Sequence, residues 1–136
     1  MNNWLKKYNK LGIRERQTLK KAILQLIWVY LNLRFRSFEN FKKWFKNSLK
    51  DESIQDDELL SASISKASII YPGMFTCLPQ ALAFKKMKGK ASEYKLVIGV
   101  QPGVAKLDAH AWIEKKGEVL IGDVPDFNYL PLWTWE

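Results

Sequence analysis

The sequence predicts an α+β fold, helices first and an antiparallel sheet after, and three observations carry the prediction. Apolar residues recur at helical spacing through residues 1–70, Pro72-Gly73 interrupts that pattern, and β-branched or alternating segments follow from residue 94. Leu19, Ile23, Leu26, Ile27, Tyr30 and Leu31 mark one face of a first helix over residues 14–33. Ser37 offers a capping hydroxyl to a second, short helix. Phe38, Phe41, Phe45 and Leu49 form its apolar side, and Lys42, Lys43, Lys46 and Lys50 its basic side. Asp56, Asp57 and Glu58 place negative charge where a helix N-terminus favours it. Ile54, Leu59, Leu60, Ile64, Ala67 and Ile70 continue this third helix to about Tyr71, where Pro72 disfavours further turns. In residues 77–88, Pro79 sits in a first turn that needs no N–H from it and Gly89 supplies a stop, so Cys77 opens a fourth helix. Residues 94–100 (YKLVIGV), 109–113 (AHAWI) and 118–121 (EVLI) read as strands, the last two joined by a turn at Lys115-Lys116-Gly117.

Composition narrows the function classes. A chain of 136 residues, 47% hydrophobic with only 7 Gly and 5 Pro, suits one compact unit: a helical, basic region over residues 1–70 and a core over residues 71–136. The single cysteine excludes an intrachain disulfide and points to a reducing compartment, hence the cytoplasm, or to a thiol used for chemistry. With one cysteine and one histidine, a tetrahedral zinc site is not expected, and nothing calls for a cofactor. The net charge of +8 is unevenly held, at +11 over residues 1–50 and −3 over residues 51–136. That basic half is either a solvated face or a docking face for an acidic partner. The opening residues MNNWLKKYNKLG lack the apolar core of an export signal, and residues 22–33 are too few to cross a bilayer. Trp4, Trp28 and Tyr30 beside many lysines leave an interfacial membrane contact open, but the same aromatics suit a core, so membrane association is not the expectation.

Chemistry concentrates in the second half. Cys77 stands at a helix N-terminus, where unpaired N–H groups and the macrodipole favour a thiolate. In Ala109-His110-Ala111-Trp112, alternation puts His110 and Trp112 on one strand face, a rigid mounting for a general base. The chain then turns at Gly117 and returns, placing Asp123 beside the histidine strand as a carboxylate able to orient the ring; Asp108 and Asp126 compete for that role. The Cys77 backbone N–H is a natural oxyanion donor, and Gln80 and Tyr71 are both open as the second.

The segments CLPQALAF (77–84), KLVIGV (95–100), AHAWIE (109–114) and GEVLIGD (117–123) together resemble the leader peptidases of lasso-peptide biosynthesis, a transglutaminase-like branch of cysteine proteases. The resemblance spans roughly residues 60–136. It implies a nucleophile helix packed on a small antiparallel sheet, with the N-terminal helices against that core. It also implies removal of the leader from a ribosomally made precursor peptide through a thioester acyl-enzyme. Cys77 would be the nucleophile, His110 the general base and then acid, and Asp123 the orienting carboxylate, the third position being one where relatives vary between an acid and a glycine-rich stretch. Residues 1–70 offer no strands for a leader-recognition domain, so a separate leader-recognition protein is implied as partner, together with the ATP-dependent macrolactam cyclase.

Two other readings follow from the same residues. A site that admits an amine in place of water would make the protein a transglutaminase or acyltransferase. A nucleic-acid-binding module would use the lysines of the second helix for phosphates and Phe38, Trp44 or Phe45 for bases. The helical spacing of those aromatics suits a core instead, and the acidic second half repels phosphate, so no nucleic-acid partner is expected.

Overall fold

The computed structural model describes residues 6, 9–10, 12–49, 56–71, 73–89, 93–100, 109–122 and 130–135, with the side chains at 100, 109 and 130–135 left aside. Helices α1 (Ile13–Phe35), α2 (Phe38–Ser48), α3 (Asp57–Ser68) and α4 (Cys77–Lys88) precede strands β1 (Lys95–Val100), β2 (Ala109–Lys115), β3 (Glu118–Ile121) and β4 (Leu130–Trp135). The fold is α+β, as the sequence predicts. Lys50 and Ile54, counted above toward the second and third helices, lie outside the described residues.

Local chemistry explains the helix starts. Ser37 Oγ accepts from the Asn40 N–H at 3.3 Å and Asp56 Oδ2 from the Leu59 N–H at 3.1 Å, each satisfying an orphan donor of the first turn. α4 begins at Cys77 and stops at Gly89, whose φ of 84° needs a residue without a β-carbon.

The buried face of α1 differs from the expected one. Thr18, Leu19, Ala22, Leu26 and Val29 are inside, whereas Ile27 and Leu31 join Leu24 (65% exposed), Trp28 (52%) and Phe35 (77%) on the outer side. Over residues 22–33 the helix is apolar nearly all round, so two overlapping faces fit the three-and-four spacing. Packing against α3 and α4 selects the face with the small Ala22, which lets backbones approach. In α2, Phe41 and Phe45 are fully buried and stack at 5.6 Å, while Phe38 at the helix start stays 44% exposed. Burial of Phe45 removes one of the three aromatics a base-stacking surface would need.

The sheet is antiparallel throughout, in the order β3-β2-β1-β4, with Lys95 opposite Glu114 and Val100 opposite Ala109 at the two ends of the central pair. Lys116 (φ 52°) and Gly117 (φ 82°) make the two-residue loop between β2 and β3, both in the left-handed region that such a tight hairpin requires. β4 was not foreseen, because Pro131 interrupts its run. It is an edge strand, and Pro131 sits opposite Gly99 where the register shifts, a place where a missing N–H is tolerated.

α4 lies across β2, with β1 and β3 on either side of it, and α1 and α3 pack over α4. Leu96, Ala111, Ile113 and Ile121 face these helices, and one apolar cluster runs from Leu19 of α1 to Ile121 of β3. Val97 and Trp112 point to the opposite face and pack with Val119.

An ionic knot fixes the helix ends against the sheet. Asp57, at the start of α3, takes Lys88 Nζ at 3.0 Å, Lys115 Nζ at 3.1 Å and the Tyr94 hydroxyl at 2.8 Å. Both ammonium groups also lie 4.9 Å from the Tyr94 ring centre. Burial pushes the Asp57 carboxyl up, but the hydrogen bonds from Lys88, Tyr94 and Lys115 outweigh it and hold the group below its ordinary value. For Lys88, burial favours the neutral amine, yet the bonds to Asp57 and Tyr94 win and raise its pKa. Fully buried Lys85 donates to the Tyr94 carbonyl at 2.7 Å.

Candidate active site

The Cys77 thiol is the first group of α4. Thr76 before it is extended (φ −79°, ψ −172°) and makes no side-chain cap, and the first turn of α4 carries no acidic residue. The approach to this turn is set locally. The N–H groups of Met74 and Phe75 both bond the Tyr71 carbonyl, at 3.0 and 2.9 Å, and the Tyr71 and Phe75 rings meet edge to face at 6.1 Å. Gln80, one turn into α4, donates from Nε2 back to the Phe75 carbonyl at 2.7 Å, so helix and approach loop are tied together.

Cys77 is half-buried and free, and it lines a cavity of about 490 Å³. Gln80 shares the wall on α4, Ser61 and Ser65 come from α3, Val119, Leu120 and Ile121 from β3, and His110 and Gly122 complete the lining. The chain's one cysteine and one histidine therefore both line one cavity, although 33 positions separate them in sequence. The cavity exists because the N-terminal end of α4 stands beside β3, the edge strand, with α3 closing the far side.

His110 is mounted at the start of β2. Its ring stacks on that of Trp112 with centres 6.2 Å apart and planes at 26°, so the two do share a strand face. Trp112, itself only 5% exposed, donates from Nε1 to Glu114 Oε1 at 2.7 Å, and this row of alternate side chains restrains the imidazole. The His110 Nε2 lies 3.2 Å from the Gly122 carbonyl oxygen.

Asp123, the third residue singled out in the sequence, lies outside the described residues, as do its competitors Asp108 and Asp126. Of the two oxyanion donors left open, Gln80 lines the cavity; Tyr71 is 57% exposed and is not among the lining residues. Three lining residues escaped the sequence reading. Ser61 donates to the Leu120 carbonyl at 2.6 Å and so joins α3 to β3 across 59 positions, a contact no local pattern announces. Ser65 follows Ser61 by four residues, one helical turn on, and that spacing was the available signal. Gly122 lies inside the GEVLIGD segment, where no local pattern distinguishes it from an ordinary strand-end glycine.

A model of the transglutaminase-like superfamily matches residues 25–134, a span that includes all of α2, α3, α4, β1, β2 and β3 and all but the last residue of β4. The chain belongs to that superfamily, whose members are typically cysteine proteases or acyltransferases. No curated protein and no solved structure matches the chain significantly. Among the described residues, no helix is long and apolar enough to cross a membrane.

Proposed function

We propose that this chain is a cysteine peptidase that removes the leader from a ribosomally made lasso-peptide precursor, with Cys77 as nucleophile, His110 as base and then acid, and Asp123 as an orienting carboxylate. The observation that carries the reading is that Cys77 and His110 both line one cavity. Family membership supports thiol chemistry in general, and the four motif segments support the narrower substrate.

In the proposed reaction His110 takes the thiol proton and the sulfur attacks the scissile carbonyl. The Cys77 N–H meets the developing oxyanion, with the second hydrogen of Gln80 Nε2 as the further donor. Collapse expels the amine, which receives the proton from His110 and leaves as the N-terminus of the core peptide. Water, deprotonated by the same imidazole, then releases the leader from its thioester. The test is incubation of the purified chain with a precursor peptide, with and without a leader-recognition protein, both fragments being weighed by mass spectrometry. Intact precursor under both conditions refutes the reading. An isopeptide product from a glutamine peptide and added lysine, without leader cleavage, would establish the acyltransferase alternative instead.

The leader-recognition protein is proposed to dock on the basic helical half. Leu24, Trp28, Leu31 and Phe35 repeat along the outer face of α1 over about 16 Å, and Lys20, Lys21, Lys43 and Lys46 are exposed on α1 and α2. An apolar stripe with a cationic surround fits a partner presenting an apolar surface with acidic flanks. Reversal of Lys42, Lys43 and Lys46 to Glu should weaken capture of the recognition protein at low salt, and Trp28→Asp should weaken it at any salt. Unchanged pull-down by both variants removes this surface from the account. The macrolactam cyclase follows in the same scheme as the enzyme that consumes the freed amine.

A further inference from the structure

Apart from the cavity that Cys77 lines, an opening of about 500 Å³ lies on the basic half, where the end of α1 meets one side of α2. Arg36, Asn40, Lys43, Trp44, Asn47 and Ser48 line it, and no acidic residue does. The one acid of α2, Glu39, is paired with Lys42 at 3.0 Å. Among the described residues, no carboxylate stands within ion-pair distance of Arg36 or Lys43, so two cations share one cleft without a countercharge. The guanidinium is held in advance of any ligand. Asn32 donates from Nδ2 to the Trp28 carbonyl at 2.8 Å and accepts from Arg36 Nε at 2.7 Å, and the guanidinium carbon sits 5.7 Å from the centre of the Trp44 ring. Those contacts leave the Nη hydrogens of Arg36 for a ligand.

The remaining groups along α2 suit a peptide more closely than a nucleic acid. The Trp44 ring is already engaged, with the ring centres of Trp28, Phe41 and Phe45 at 6.3, 5.6 and 6.4 Å, so it forms a floor to the cleft rather than a platform for a stacked base. Asn40 and Asn47 are two helical turns apart, about 10.5 Å by the α-helical rise, which about three residues of extended chain would span. Their side-chain amides each donate and accept, as a peptide backbone does, whereas the phosphates of a nucleic acid only accept. We propose that this cleft binds an extended acidic segment of the leader-recognition protein, with one carboxylate on the Arg36 guanidinium, another on Lys43, and the backbone between them on Asn40 and Asn47. The choice of that partner rests on the docking surface proposed above, with which the cleft is continuous: Trp28, on the apolar stripe of α1, packs against Trp44 in the cleft floor. No part of the binding uses Cys77 or His110.

The test uses the full chain as Cys77→Ala and a fluorescein-labelled synthetic peptide of alternating Glu and Thr, read by anisotropy at low salt. Arg36→Gln with Lys43→Gln should weaken binding by about tenfold. Arg14→Gln with Lys66→Gln, the same loss of charge at exposed sites outside the cleft, should change it by less than about twofold. Asn40→Ala with Asn47→Ala should weaken it at constant charge, and excess unlabelled peptide should displace the recognition protein from the immobilised chain. Absence of peptide binding, or equal losses in the two charge variants, overturns the cleft. Tighter binding of inorganic phosphate or a single-stranded oligonucleotide, with the same dependence on Arg36 and Lys43, also overturns it and makes the ligand a phosphate. A recognition protein that is not captured, or that stays bound under saturating peptide, overturns the choice of occupant. A chain that passes all of these yet cleaves no precursor leaves the cleft standing and removes the peptidase reading alone.

Discussion

Cys77→Ala and His110→Ala should each lower leader cleavage by about 10⁴-fold or more, because a nucleophile and its base act as a unit. Both variants should unfold within about 1 kcal/mol of the parent in urea, since neither substitution deletes much buried volume. Asp123→Asn should be milder than either, since the proposed role of that carboxylate is to orient the ring and it makes no bond to the substrate. Gly122→Ala behaves differently from all three. Forcing an L side chain into the left-handed region costs about 1–2 kcal/mol, and the 2.5 Å approach to the Ala111 oxygen adds strain, so a fall in urea midpoint should accompany the loss of turnover. Thiol and imidazole were legible in the sequence because each is the only one of its kind and sits in a recognisable local setting. Gly122 and Ser61 were not, because their roles come from backbone contacts made across the fold.

At the scale of elements, α2 and α4 were legible to within a residue or two because their signals are local: Ser37 as a cap, Pro79 and Gly89 as start and stop. The acidic run Asp56-Asp57-Glu58 marked the start of α3, but that helix ends at Ser68, three residues before the expected Tyr71. The orientation of α1 was not legible, since its apolar stretch over residues 22–33 leaves the choice of face to tertiary packing. A pair of substitutions tests that choice. Leu26→Ala, at a fully buried position, should cost about 2–5 kcal/mol, whereas Leu24→Ala, at 65% exposure, should stay within about 0.5 kcal/mol. Equal costs in chemical denaturation would mean that the helix is turned otherwise. β4 was illegible for a different reason: a proline in the run argues against a strand, and only the edge position explains why it is tolerated.

For the molecule as a whole, the knot of Asp57, Lys88, Lys115 and Tyr94 sets the pH range of stability. Asp57 has a folded pKa below its ordinary 3.8, so its contribution is complete above that value and is lost as the pH falls through the lower, folded one. Lys88 has a folded pKa above 10.5, so its share is complete below that value and is lost as the pH rises through the higher one. Melting temperature should therefore be flat with respect to this knot from about pH 5 to 9 and decline on both sides, and Asp57→Asn should remove the acid limb attributable to it. That variant removes the countercharge shared by two ammonium groups and should cost about 2–3 kcal/mol, below the range for a fully buried pair because Asp57 keeps some solvent. The stack of His110 on Trp112 also gives the protein an optical readout of its own chemistry. An imidazolium quenches indole emission more than a neutral ring does, so among the six tryptophans of the chain this one should dim and brighten as the histidine gains and loses its proton. The difference in emission between parent and His110→Ala would then follow proton transfer in real time, without a dye.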